Sequence, residues 1–160
     1  MINDQWVIEL FCQRFYEPFI HAKLYKEAIN LLLSKSQEFP DTYELQKYLY
    51  QLYAQNGDYP NAILIGVRYI DFVPSDTEFF YFLSTCYREV GEYSNGISIA
   101  ERLRLRQPNH IKNLIILADL YSHSKNFQRA EELLQHSLKV EPENSSALSL
   151  REVIRKRKNS

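Results

Sequence analysis

The stretch that decides the fold is TEFFYFLSTCYREVGEYSNGISIAERLRLRQPNH, residues 77–110, read against the stretch that follows it, IKNLIILADLYSHSKNFQRAEELLQHSLKVEPEN, residues 111–144. Laid side by side without a gap, the two agree in chemistry at an interval of 34 residues: Leu83 with Leu117, Tyr87 with Tyr121, Tyr93 with Phe127, Gly96 with Ala130, Pro108 with Pro142. The interval runs back through the chain. Pro40, Pro74, Pro108 and Pro142 form one column. Phe19, Tyr53, Tyr87 and Tyr121 form a second, and Tyr25, Tyr59, Tyr93 and Phe127 a third. Phe15, Leu49, Leu83 and Leu117 form a fourth, and Ala28, Ala62, Gly96 and Ala130 a fifth. One pair of prolines at this distance is an accident; five columns of matching chemistry mark a repeat architecture. The columns define units 9–42, 43–76, 77–110 and 111–144 of one domain spanning 1–160, with a closing helix over 145–157.

Inside a unit the apolar spacing is helical. Leu45, Leu49, Leu52 and Tyr53 fall at i, i+4, i+7 and i+8. Asn56-Gly57-Asp58 then turns the chain, because Gly and Asn adopt left-handed dihedrals cheaply. A second helix follows with Ala62, Ile63, Gly66, Val67 and Ile70 on one side, and Pro74 closes it. The next unit repeats the plan, with Phe79, Leu83, Cys86 and Tyr87, then Val90-Gly91-Glu92, then Ile97, Ala100, Leu103 and Leu105. The small column lets paired helices approach, and the two aromatic columns are expected in the core between them.

These units resemble the tetratricopeptide repeat family over residues 9–144. The resemblance implies an all-α fold, a right-handed α–α superhelix of four helix-turn-helix repeats plus a C-terminal capping helix. It implies little about function. The departures carry expectations of their own. Tyr16 and Tyr50 stand where the family has a small residue, so the first helix pairs should pack more openly. Pro18 forfeits a helical hydrogen bond, so that helix should kink or end near Glu17. The turn at Lys23-Leu24 lacks the usual glycine. In the closing segment, Ser145 or Ser146 should cap the helix. Ala147, Leu148, Leu150, Val153 and Ile154 should cover the last repeat. Arg151, Arg155, Lys156, Arg157 and Lys158 should face solvent at the helix end their charge favours.

Composition narrows the class. The chain has 160 residues, 45% hydrophobic and 24% charged, with 12 Tyr and 9 Phe, too aromatic for a disordered segment. Two Cys make no disulfide scaffold, and a reducing compartment is the simpler home. A net charge of -1 argues against a nucleic-acid ligand. The start, MINDQWVIEL, lacks the basic and apolar regions of a signal peptide, and no run reaches the 18 apolar residues a membrane span requires. A cytoplasmic protein is expected.

Catalytic chemistry has no foothold. Cys12 and Cys86 fall at inward helix positions with no histidine placed beside them. His21, His110, His123 and His136 show no i, i+4 pair, so no metal site is expected, and no cofactor. The Gly91–Gly96 spacing joins two helices, not a strand and a helix, and reads as structural. The chain is not expected to be an enzyme or to take a small-molecule substrate.

In the family the resemblance names, the first helices of successive units line a concave face. Transferred residue by residue, that face holds Lys47, Tyr48 and Gln51, then Tyr81, Phe82, Thr85 and Arg88, then Lys112, Ile115, Ile116 and Asp119. Apolar side chains rimmed by Lys47, Arg88 and Lys112 suggest a groove for a peptide or partner helix. The carboxylate clamp of chaperone-binding members does not transfer: Gln51, Phe82 and Ile116 occupy its places. The expected function is a protein-interaction module. Two alternatives stay open, a small secretion-type chaperone for an unstable client and a structural module that self-associates.

Overall fold

The computed structural model describes residues 14, 18–36, 43–72 and 75–159, without side-chain detail at 35, 36 and 44. The described residues are helical or turn. In order they form α1 (Tyr25–Ser36), α2 (Tyr43–Gln55), α3 (Tyr59–Tyr69) with a 3-10 turn at Ile70–Phe72, α4 (Thr77–Glu89), α5 (Tyr93–Arg106), α6 (Ile111–His123), α7 (Phe127–Val140) and α8 (Ser145–Lys158). Helices begin at Tyr43, Thr77, Ile111 and Ser145, and again at Tyr25, Tyr59, Tyr93 and Phe127, both sets at intervals of 34. Among the described residues no helix is long and apolar enough to cross a membrane. Residues 18–21 are helical, and the kink or end expected near Glu17 lies outside the described residues, as do Cys12, Phe15 and Tyr16.

One turn recurs four times. Lys23, Gly57, Gly91 and Lys125 all have positive φ, at 57°, 76°, 80° and 61°. Their N–H groups donate to the carbonyls of Ile20, Ala54, Arg88 and Ser122 at 3.0–3.1 Å. The next N–H in each turn, from Leu24, Asp58, Glu92 and Asn126, donates five residues back, to Phe19, Tyr53, Tyr87 and Tyr121, at 2.9 Å. This left-handed closure satisfies carbonyls that the helix end would otherwise orphan. The turn without glycine at Lys23 therefore has the same geometry as the glycine turns. Lysine bears a conformational cost there that glycine does not.

Helix starts repeat as well. Asp76 Oδ1 accepts from the Phe79 N–H at 3.0 Å, His110 Nδ1 from Asn113 at 3.2 Å, and Asn144 Oδ1 from Ala147 at 3.0 Å. Asn144 caps α8, not Ser145 or Ser146. Asp58 and Asn126 cap α3 and α7 in the same way.

The chain divides into two compact units, 1–74 and 75–160. In the first, α1 packs on α2 and α2 on α3. Its core is Ala28, Ile29, Leu32, Leu45, Leu49 and Leu52, with Phe19, Tyr25, Tyr48 and Tyr53 packed against it. Tyr50, expected at a looser seam, is fully buried. Ala62, Gly66 and Ile70 are buried as the spacing required, but Val67 is exposed.

In the second unit α4 pairs with α5 and α6 with α7, α5 packs on α6, and α8 lies against both α6 and α7. Leu114, Ile116, Leu117, Leu120, Leu133 and Leu134 are buried at its centre, and Ala147 and Ile154 of α8 join them. Leu148 and Leu150 are half-buried, whereas Val153 is exposed. Cys86 is buried, as its helical position implied. The small column has a steric reason at Gly96, where an added Cβ would lie 2.9 Å from Leu120 Cδ2. Leu105, placed inward by spacing, is exposed at the end of α5. The guanidinium groups of Arg102 and Arg106 instead lie over the buried Phe80 ring, 5.3 and 4.9 Å from its centroid.

Candidate functional site

Within the second unit, α4, α6 and α8 enclose a cleft of about 240 Å³ lined by Tyr81, Arg88, Lys112, Ile115, Ile116, Asp119, Ser146 and Leu150. Six of these are residues that the sequence placed on a partner-binding face. Their convergence follows from helical period. Tyr81 and Arg88 are seven apart on α4, while Lys112, Ile115, Ile116 and Asp119 fall at i, i+3, i+4 and i+7 on α6, one stripe of each helix.

The floor is apolar and firmly held. Ile116 is buried in the core cluster, and Ile115, Tyr81 and Leu150 pack partly against it. Tyr81 meets Phe82 edge-on at 5.3 Å between centroids, and the Lys112 ammonium lies 5.8 Å above the Tyr81 ring. Phe82 is 41% exposed. Thr85 turns its hydroxyl back to the Tyr81 carbonyl at 3.0 Å. Lys112 reaches Glu78 at 3.4 Å in a largely exposed pair, which leaves the ammonium solvated. Lys47, Tyr48 and Gln51 lie in the first unit, all half-buried on α2.

The polar end of the cleft is organised by Asp119, only 8% exposed. Its Oδ2 accepts from Arg88 Nη1 at 3.3 Å and its Oδ1 from Arg157 Nη1 at 2.9 Å. The same Arg157 nitrogen also donates to Ser122 Oγ at 3.0 Å. Arg157 thus faces inward and ties α8 to α6, which corrects the expectation that it faces solvent. A buried carboxylate needs such partners, because an unpaired charge away from water is costly. Burial works against the Arg88 charge, but hydrogen bonding and attraction from Glu89, with a further pull from Asp119, outweigh it and hold its pKa above the ordinary arginine value.

His123 Nε2 sits 3.5 Å from Asp119 Oδ1, and its ring stacks on Tyr93 at 4.6 Å. Geometry alone would make this an ion pair. Burial lowers the His123 pKa, however, and Arg157 and Arg88 add to that against the opposing pull of Asp119. The shift favours the neutral imidazole, whose ring stacks on Tyr93.

Ser146 and Leu150 were not among the residues read from the sequence as binding partners. The sequence carries part of the signal: its spacing puts Leu150 on the covering face of α8, and a covering helix flanks the last first-helix of the array. Among the described residues no group of three or more His, Cys, Asp or Glu could hold a metal ion.

Residues 55–137, just over half of the chain, match the family model of anaphase-promoting complex, cyclosome, subunit 3. The chain belongs to this family of tetratricopeptide repeat proteins. No curated protein matches it in sequence. Solved structures share the repeat fold. YrrB, a TPR protein with an unusual peptide-binding site, superposes with a TM-score of 0.78 at 18% identity over 84% of this chain and 69% of YrrB. A tetratricopeptide repeat protein from Parabacteroides merdae gives 0.81 at 18% identity over 94% of this chain, which spans 60% of that protein. MamA from Desulfovibrio magneticus gives 0.83 at 16% identity, over 99% of this chain and 88% of the other. At such identities these likenesses establish the fold. The cleft of this tetratricopeptide repeat protein lies on the first helices of its last two repeats and on its capping helix.

Proposed function

We propose that this repeat protein binds an extended segment of a partner protein in the cleft between α4, α6 and α8. The observation that carries the reading is an apolar floor of Tyr81, Ile115, Ile116 and Leu150 bounded by fixed polar groups at one end and a solvated ammonium at the rim. At about 240 Å³ the cleft falls below the roughly 300–1,000 Å³ typical of pockets that enclose small molecules. It suits one or two side chains of a chain lying across it. Apolar side chains would displace water from Tyr81 and Ile115, while Lys112 would meet a backbone carbonyl or an acidic side chain. The peptide-binding site of YrrB gives this fold a precedent. Phe82 and Thr85, on the same helix, and Lys47, Tyr48 and Gln51 in the first unit are proposed as further partner contacts.

Selection of a displayed random-peptide library on the full chain supplies the ligand. Titration of one labelled selected peptide then tests the site. Tyr81→Ala and Lys112→Ala should each weaken binding about tenfold, or about 1.4 kcal/mol, with circular dichroism unchanged. Unchanged affinity in both variants would sink the assignment.

A further inference from the structure

The cleft crosses two seams between helices. α4 packs on α6 and α6 on α8, with Cα atoms of each pair within 8 Å. Its apolar residues repeat across these seams. Tyr81 and Ile115 stand 34 residues apart on α4 and α6, and Ile116 and Leu150 stand 34 apart on α6 and α8. Packed helix axes lie about 8–10 Å apart, so the floor presents an apolar step at about that interval. We infer that the segment taken by this cleft is proline-rich, in the polyproline II conformation, with an apolar side chain at every third residue. The inference rests on the cleft being the partner site and names the chemistry of its occupant.

The interval selects the conformation. Polyproline II has three residues per turn and rises about 3.1 Å per residue, so every third side chain returns to one face after about 9 Å. That matches the step between seams. A β-strand alternates faces, so its same-face side chains advance by about 6.6 Å, and the residue about 10 Å on points away from the cleft. An α-helix, about 10–12 Å across, would lie over the cleft rather than in it, and its carbonyls are bonded internally.

Hydrogen bonding selects the composition. Both oxygens of Asp119, the one carboxylate lining the cleft, are engaged, by Arg88 at 3.3 Å and Arg157 at 2.9 Å. Glu78 at the rim is met by Lys112 at 3.4 Å. The Lys112 side chain is 62% exposed, and an ammonium has three donors. The cleft can therefore satisfy carbonyls, but its carboxylates are not available to N–H groups. Proline brings a carbonyl without an N–H, and polyproline II leaves its carbonyls free of internal bonds. Its preset geometry also lowers the cost of ordering the segment, and the Tyr81 ring suits a pyrrolidine face. A basic segment would meet Arg88 and Lys112 with Asp119 already paired.

Fluorescence anisotropy of labelled, end-blocked peptides on the full chain tests this. The probe is four Leu-Pro-Pro repeats. One control has the same composition with its leucines moved to alternate positions, and another keeps a single central leucine. The probe should bind saturably and at least about tenfold more tightly than either control. Tyr81→Ala and Lys112→Ala should each weaken it about tenfold with circular dichroism unchanged. Equal binding of probe and controls, no binding of the probe, or binding that neither substitution weakens would each overturn the inference. A library-selected peptide run in parallel separates the two claims. If it loses affinity in both variants while the probe does not bind, the cleft stands and the polyproline II occupant falls. If neither ligand responds to the substitutions, the cleft falls as well.

Discussion

Arg157 on the capping helix donates to Asp119 on α6 at 2.9 Å, across 38 residues of sequence. Asp119 also accepts from Arg88 on α4, so one buried carboxylate holds three helices. It fixes the polar end of the cleft and the position of the helix that supplies Ser146 and Leu150.

Arg157→Met keeps the aliphatic stem and removes the charge. Asp119 then retains Arg88 but loses its shorter bond. The unfolding free energy should fall by about 1–2 kcal/mol, toward the low end because Arg157 is one-third exposed. Urea denaturation checks this, and a double-mutant cycle with Asp119→Asn should show coupling, since the pair is in direct contact.

The left-handed turns predict opposite effects at matched positions. Gly91→Ala places a side chain at φ 80° and should cost about 1 kcal/mol, although no neighbouring atom obstructs its Cβ. Lys125→Gly, at φ 61°, relieves the same strain and should stabilise by up to about 1 kcal/mol, less the entropy glycine adds to the unfolded chain. Shifts in urea midpoint at constant slope report both.

Stability should weaken in mild acid through His123. Its folded pKa lies below the ordinary 6.5, so the unfolded chain binds the proton more readily. The stabilisation from neutral His123 is complete above 6.5 and is lost as pH falls through the lowered folded value. Urea midpoints measured over this range should fall more steeply for wild type than for His123→Gln.

His110 caps α6 through a ring nitrogen, in the place that Asp76 and Asn144 hold for α4 and α8. His110→Asp should stabilise by about 0.5–1 kcal/mol, because a carboxylate caps better and suits the positive helix end. A rise in thermal midpoint is the expected readout.

Much of the architecture was legible because helix starts, small residues and aromatic wedges are local choices repeated at one interval. Six of the eight cleft residues were legible for the same reason, since one helix stripe per repeat places them. What escaped were features set by long-range partners or by tolerated strain. Lys23 and Lys125 adopt glycine's conformation without announcing it. Arg157 looked like one more cation on a solvated helix end, because no periodicity reveals a carboxylate 38 residues away. Leu105 and Val67 carry the inward pattern of their helices and still face water.

The cleft of α4, α6 and α8 is proposed to receive a partner segment. Titrating the isotopically labelled full chain with a selected peptide, and following backbone amide shifts by NMR, tests it most directly. The largest shifts should cluster at Tyr81, Lys112, Ile115, Ser146 and Leu150, with little change along α3. Saturable binding whose shifts avoid those residues would place the partner segment elsewhere and rule out the cleft.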